Sequence, residues 1–191
     1  MAKLTVAQFA KVVPEWYQEY TQSKHFRPYV ELERKLSQKA ISQGHLEKGD
    51  LLWVAIWGGN QNNVAEQVLL HNTEKEIEEH TRNAIAHLDN PEIALKHVLC
   101  INGWGLVYGS KTLRCVRPKD YPALDRRKIG KALSSLLSPD SDDVANYLWF
   151  IEICRRIQKE VSASGPRNGS WFLADIEMAL FQFAWEGNSL V

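Results

Sequence analysis

The chain has 191 residues, 45% hydrophobic and 24% charged, which is the composition of a folded globular domain and excludes intrinsic disorder. Its 23 basic and 23 acidic residues cancel, which excludes a strongly basic protein that coats nucleic acid non-specifically. No apolar run reaches the roughly 20 residues of a membrane span, and Met1-Ala2-Lys3-Leu4 turns polar too soon for a signal peptide. The expectation is a cytoplasmic monomer without membrane contact. Cys100, Cys115 and Cys154 are too few and too far apart for a disulfide framework, a zinc site or an iron–sulfur cluster, and read as core thiols. Neither a metal nor a cofactor is expected.

In chain order, Phe9, Val12, Val13, Trp16, Tyr17 and Tyr20 recur at helical spacing, with Pro14 as a kink or a helix start. Tyr29, Leu32, Leu36 and Ile41 predict a second helix that stops at Gly44. Asp50 is placed to cap a third, Leu51–Trp57, closed by Gly58-Gly59. That run also fits a buried strand, but no partner strand is visible, so helix is preferred. Val64–His71 reads as a fourth helix. Thr73 and Glu76 form a capping box for a fifth, ending near Leu88. Pro91 opens a helix to Cys100. Helices over Leu106–Val116, Asp125–Leu137, Asp142–Val161 and Trp171–Trp185 follow, with Ser162–Gly169 as the most loop-like stretch. The fold class is all-α. The tryptophans read mostly as core, and the six histidines, His25 among them, lack metal-ligand spacing.

Charge is unevenly placed. Between Lys111 and Lys131 eight basic residues face only Asp120 and Asp125, so a basic face suited to a short length of DNA is expected. Just before this region Gly103-Trp104-Gly105 frames one apolar residue between two helices. Gly-x-Gly permits a tight turn and close backbone approach, and the following helix offers unsatisfied amides at the positive end of its dipole. Such glycines are also ordinary helix C-caps. Asp125, ahead of Arg126-Arg127-Lys128, reads equally as a helix N-cap.

Together the two segments resemble the helix–hairpin–helix DNA glycosylase superfamily, which includes the adenine glycosylases and endonuclease III. Ile101-Asn102-Gly103-Trp104-Gly105 is similar to the family's hairpin, and Tyr121-Pro122-Ala123-Leu124-Asp125 to its catalytic segment, at matching separation. A set of small uncharacterised bacterial proteins with a Tyr-Pro-x-x-Asp-x-Arg segment is similar too. The likeness covers about residues 51–133. It implies one domain over 1–191 with two helical lobes, a hairpin at 92–116 and a catalytic segment at 121–128.

The resemblance further implies Asp125 as the catalytic carboxylate, which stabilises an oxocarbenium-like sugar and orients water. It implies double-stranded DNA with a damaged or modified base as the partner, the base being flipped into an inter-lobe pocket. Gly103, Trp104, Gly105, Val107 and Arg126 are among the expected DNA contacts. Val107 stands where bifunctional relatives carry a Schiff-base lysine, so a monofunctional enzyme is expected. Lys111, one turn on, is then a phosphate contact, or the nucleophile of a bifunctional glycosylase/lyase. Trp104 is either core or packs on a sugar–phosphate. Asn60, Gln61 and Asn62 form either a polar turn or the amides that fill the gap left by a flipped base. Compactness suggests action on hypermodified cytosine in phage defence. The alternative is a non-catalytic module that binds DNA structure.

Overall fold

The computed structural model describes residues 2–24, 26–136 and 142–191. The fold is all-α: ten helices and one two-residue strand pair are present among the described residues. None of these helices is long and apolar enough to cross a membrane. The chain forms two compact units, Met1–Phe26 with Pro118–Val191, and Arg27–Arg117.

The first unit is built on α1 (Val6–Thr21), α8 (Ile129–Ala132), α9 (Asp143–Glu160) and α10 (Leu173–Trp185). Thr5 and Gln8 cap α1 reciprocally, at 3.3 and 2.9 Å, and Pro14 lies inside the continuous helix rather than at its start. Its buried stripe, Phe9, Ala10, Val13 and Tyr20, packs on α10, where the Phe9 and Phe183 rings lie 5.0 Å apart. Asp142 caps α9 through the Ala145 amide at 2.7 Å.

Two features of this unit depart from the sequence reading. Residues 3–4 (β1) pair in parallel with 189–190 (β2), a contact too short to carry an alternating pattern. The helix expected over Asp125–Leu137 shrinks to α8, flanked by turns; residue 137 itself lies outside the described residues, as does His25. Gly130, Ser134 and Ser135 explain the loss. Glycine costs about 1 kcal/mol in a helix interior, and serines compete for backbone hydrogen bonds.

The second unit contains α2 (Phe26–Gln43, from Arg27 on), α3 (Lys48–Trp57), α4 (Val64–His71), α5 (Glu74–Ala86), α6 (Pro91–Leu99) and α7 (Leu106–Val116). The Thr73–Glu76 capping box, the Pro91 start and the bounds of α4 and α7 are as the sequence indicates. Ile41 is 87% exposed and leaves the buried stripe of α2. Leu51–Trp57 is helix, not strand. Asp50 is not its N-cap: the helix begins earlier, with Glu47 as cap, and Asp50 sits at the third position.

There Asp50 accepts from the Glu47 amide at 3.0 Å and from Lys39 Nζ at 2.6 Å, with Lys35 at 3.3 Å. Burial alone would raise its pKa, but the Lys39 and Glu47 hydrogen bonds and the Lys39 charge hold it below the usual carboxylate range. A lowered folded pKa gives stability that is full above the unfolded carboxyl value, about 4, and lost as pH falls through the folded one. Asp50→Ala is expected to destabilise the protein by about 2–3 kcal/mol at neutral pH. In urea titrations its difference from wild type shrinks as pH drops below about 4.

Candidate nucleic-acid interface and carboxylate

In the second unit α6 ends at Leu99 and α7 begins at Leu106, joined by a tight turn. The Trp104 amide donates to the Ile101 carbonyl at 3.0 Å, and Gly103 takes φ +79°. A Cβ on Gly103 would also stand 2.8 Å from Gln67 Cβ, so both conformation and space require glycine there. Gly105 is the N-cap of α7 with φ −73°, contributes no side-chain cap, and has open space where a Cβ would go. The start of α7 is therefore accessible at its positive end. Asn72 fixes the turn: its side chain accepts from the Asn102 amide at 2.8 Å and donates to the Asn102 carbonyl at 3.0 Å. The sequence reading missed this residue, whose partner lies 30 positions away.

These contrasts give a prediction. Gly103→Ala is expected to lower stability by about 1–3 kcal/mol, whereas Gly105→Ala changes it by less than about 0.5 kcal/mol. Thermal unfolding of both variants checks it.

The polar loop after α3 lies against this same helix. Asn60 (φ 42°), Asn62 (φ 56°) and Asn63 (φ 53°) all adopt the left-handed region, which asparagine tolerates better than most residues. The Asn60 side chain accepts from the Ala65 amide at 2.9 Å, and the Gln61 amide donates to the Tyr108 hydroxyl at 2.8 Å. The side chains of Gln61 and Asn62 are exposed. Asn60, Gln61, Asn62, Gly103 and Gly105 thus belong to one unit, with Tyr108 joining loop and helix.

Two expected contacts are placed differently. Trp104 is 2% exposed and donates through Nε1 to Thr112 Oγ1 at 3.1 Å, so it is core and does not present itself to a sugar–phosphate. Lys111 is buried, its Nζ 5.3 Å from the Trp57 and Tyr108 rings and 3.5 Å from the Gly58 carbonyl. That placement suits helix packing rather than an exposed phosphate contact. Val107 is half-buried.

The basic stretch is also not one face. Arg114 is 1% exposed with its guanidinium 3.9 Å from the Tyr29 ring. Tyr29 in turn donates to the Glu33 carboxylate, and burial, with Glu33 beside it, outweighs Arg114 and raises the phenol pKa well above its ordinary value. Arg117 pairs with Asp89 at 2.7 Å. The exposed cations of the stretch are Lys119, Arg126, Arg127 and Lys131, all in the first unit.

Asp125 also belongs to that unit. Tyr121, Pro122, Ala123 and Leu124 are buried, and the Tyr147 hydroxyl of α9 donates to the Pro122 carbonyl at 2.8 Å. The carbonyls of Pro118 and Lys119 accept from the first amides of α10, Ala174 and Leu173, both at 3.1 Å. This anchored segment delivers Asp125 to a half-exposed position. Its Oδ1 accepts from the Arg127 and Lys128 amides, each at 2.9 Å, and among the described residues Oδ2 takes no hydrogen bond. The capping geometry expected of Asp125 is present, on a turn instead of a long helix. Arg126 is exposed and ion-paired with Asp143.

Of the seven tryptophans, Trp53, Trp149 and Trp185 are exposed, which the periodicity did not reveal. Trp53 and Trp57 line a groove of about 390 Å³ between α2 and α3. Cys115 and Cys154 are buried thiols, but Cys100 is exposed. No cluster of His, Cys, Asp and Glu able to hold a metal is found among the described residues. No family model matches the chain, and no curated protein or solved structure matches it either.

Proposed function

We propose that the protein is a monofunctional DNA glycosylase that hydrolyses the N-glycosidic bond of a damaged or modified base, with Asp125 as its carboxylate. The observation that carries this reading is the way Asp125 is held. Two backbone amides fix one oxygen on a buried, anchored segment, and exposed cations flank it in sequence. A carboxylate fixed in this way is preorganised: it stabilises a developing positive charge without reorienting first. Oδ2 is left to face an oxocarbenium-like sugar or to orient water.

The Gly103–Gly105 turn gives a phosphate the amides of the α7 N-terminus, and the loop at Asn60–Asn62 supplies exposed amides for base edges. The burial of Lys111 favours hydrolysis over a lyase reaction through this lysine, because an ammonium packed on two rings must leave them to reach a sugar carbon. Excision of a hypermodified cytosine in phage defence remains the proposed substrate class. The test is base excision by wild type and Asp125→Asn on unmodified, damaged and cytosine-modified DNA, read as breaks that appear after alkali.

A further inference from the structure

Three residues after the carboxylate, the Lys128 side chain lies on an exposed aromatic that the proposed chemistry does not use. Trp185 ends α10 and is 53% exposed, whereas Leu180 and Phe183 of the same helix are buried and Phe181 is half-buried. Its ring carries the Lys128 ammonium 4.0 Å from its centroid, and Phe181 lies one turn back at 5.8 Å. Lys128 is the residue whose backbone amide holds Asp125 Oδ1. One residue therefore links the carboxylate, through its amide, to the indole, through its side chain.

Further charges on the neighbouring elements are mixed but mainly basic. Arg127 and Lys131 are exposed on the same turn and on α8, which packs against α10, while Glu186 follows Trp185 and Asp143 is taken by Arg126. An exposed indole with an ammonium on it, and further exposed cations on the adjoining turn and helix, is the chemistry of a stacking platform: the ring takes the face of an unpaired base and the cations take neighbouring phosphates. A solitary exposed tryptophan would need no such explanation; one bracketed by an ammonium that is itself tied to the candidate carboxylate does.

We propose that Trp185 and Lys128 form a stacking site for an unpaired nucleobase of DNA, on the unit that carries Asp125. The site rests on the reading that the protein engages DNA, but it requires no base excision. Stacking on an aromatic side chain is lost on truncation to alanine, retained by another aromatic, and absent from duplex whose bases stay paired.

The experiment measures binding of the full chain to a labelled duplex with one mismatched base and to its fully paired counterpart. Wild type is expected to prefer the mismatched duplex. Trp185→Ala should weaken that binding roughly ten-fold and change binding to paired duplex by less than about two-fold. Trp185→Phe should keep most of the preference, and Lys128→Ala should lower the salt dependence by about one phosphate contact. Equal affinity of wild type and Trp185→Ala for the mismatched duplex overturns the site. So does an equal loss on both duplexes, or a Trp185→Phe as weak as Trp185→Ala. The two readings fail separately. A wild type that prefers mismatched DNA through Trp185 but leaves no abasic sites removes only the glycosylase; abasic sites formed by a protein whose mismatch affinity is unchanged by Trp185→Ala remove only the stacking site.

Discussion

Asp125→Asn is expected to reduce base excision by about 10³-fold or more while leaving DNA affinity within about three-fold of wild type. The substitution keeps the shape of the side chain. Its amide oxygen can still accept from the Arg127 and Lys128 amides that bind Oδ1, so the turn into α8 is retained. What it removes is the negative charge, which matters only when positive charge develops on the sugar. A loss confined to turnover is the mark of an interaction made in the transition state. Single-turnover excision and equilibrium binding, measured on the same duplex, separate the two effects. A variant that excises at the wild-type rate would leave Asp125 as a cap alone.

The second large effect concerns Asp175, which is fully buried at the third position of α10. Its carboxylate accepts from Arg167 Nη2 at 2.9 Å and Nε at 3.1 Å, and from the Phe172 amide at 3.0 Å. Arg167 keeps about a quarter of its side chain in water, so losing its buried partner is expected to cost about 3 kcal/mol, the low end for a buried pair. Asp175→Ala is therefore expected to lower the unfolding temperature by roughly 10 °C. Asp175→Asn should fall between it and wild type, because the cap to Phe172 survives while the charge is lost. Thermal and urea unfolding of the three proteins measure this directly. A change below about 1 kcal/mol for Asp175→Ala would show that the Arg167 contact contributes little.

What could be read in the sequence follows from how local each determinant is. The all-α class, the Thr73–Glu76 box, the Pro91 start and the bounds of α4 and α7 rest on neighbours three or four residues apart, and they are present in the structure. The short α8 reflects a weighing of Gly130 and two serines against a good apolar pattern. Asp50 acts one turn later than expected because Glu47 caps first.

In the sequence Lys111 and Arg114 read as surface residues because charge usually stays in water. In the fold they lie against Tyr108 of the same helix and against Trp57 and Tyr29, which come from α3 and α2. Trp104 and Trp185 exchange their expected places for a similar reason. Periodicity assigns a residue to a helix face, but the packing of distant segments decides which face is covered. In the candidate site, the turn at Gly103 and Gly105 and the residue Asp125 were legible from motif spacing. The supports at Asn72, Tyr108 and Tyr147 were not, since each hydrogen bond spans 25 or more positions.

The most direct test of the central claim is an abasic-site assay. Purified wild type and Asp125→Asn are incubated with unmodified, damaged and cytosine-modified DNA, and strand breaks are counted with and without alkali. The account predicts breaks on at least one modified substrate, with wild type only and after alkali only. Binding to these DNAs with no alkali-dependent breaks on any of them would contradict it and leave a non-catalytic DNA-binding module.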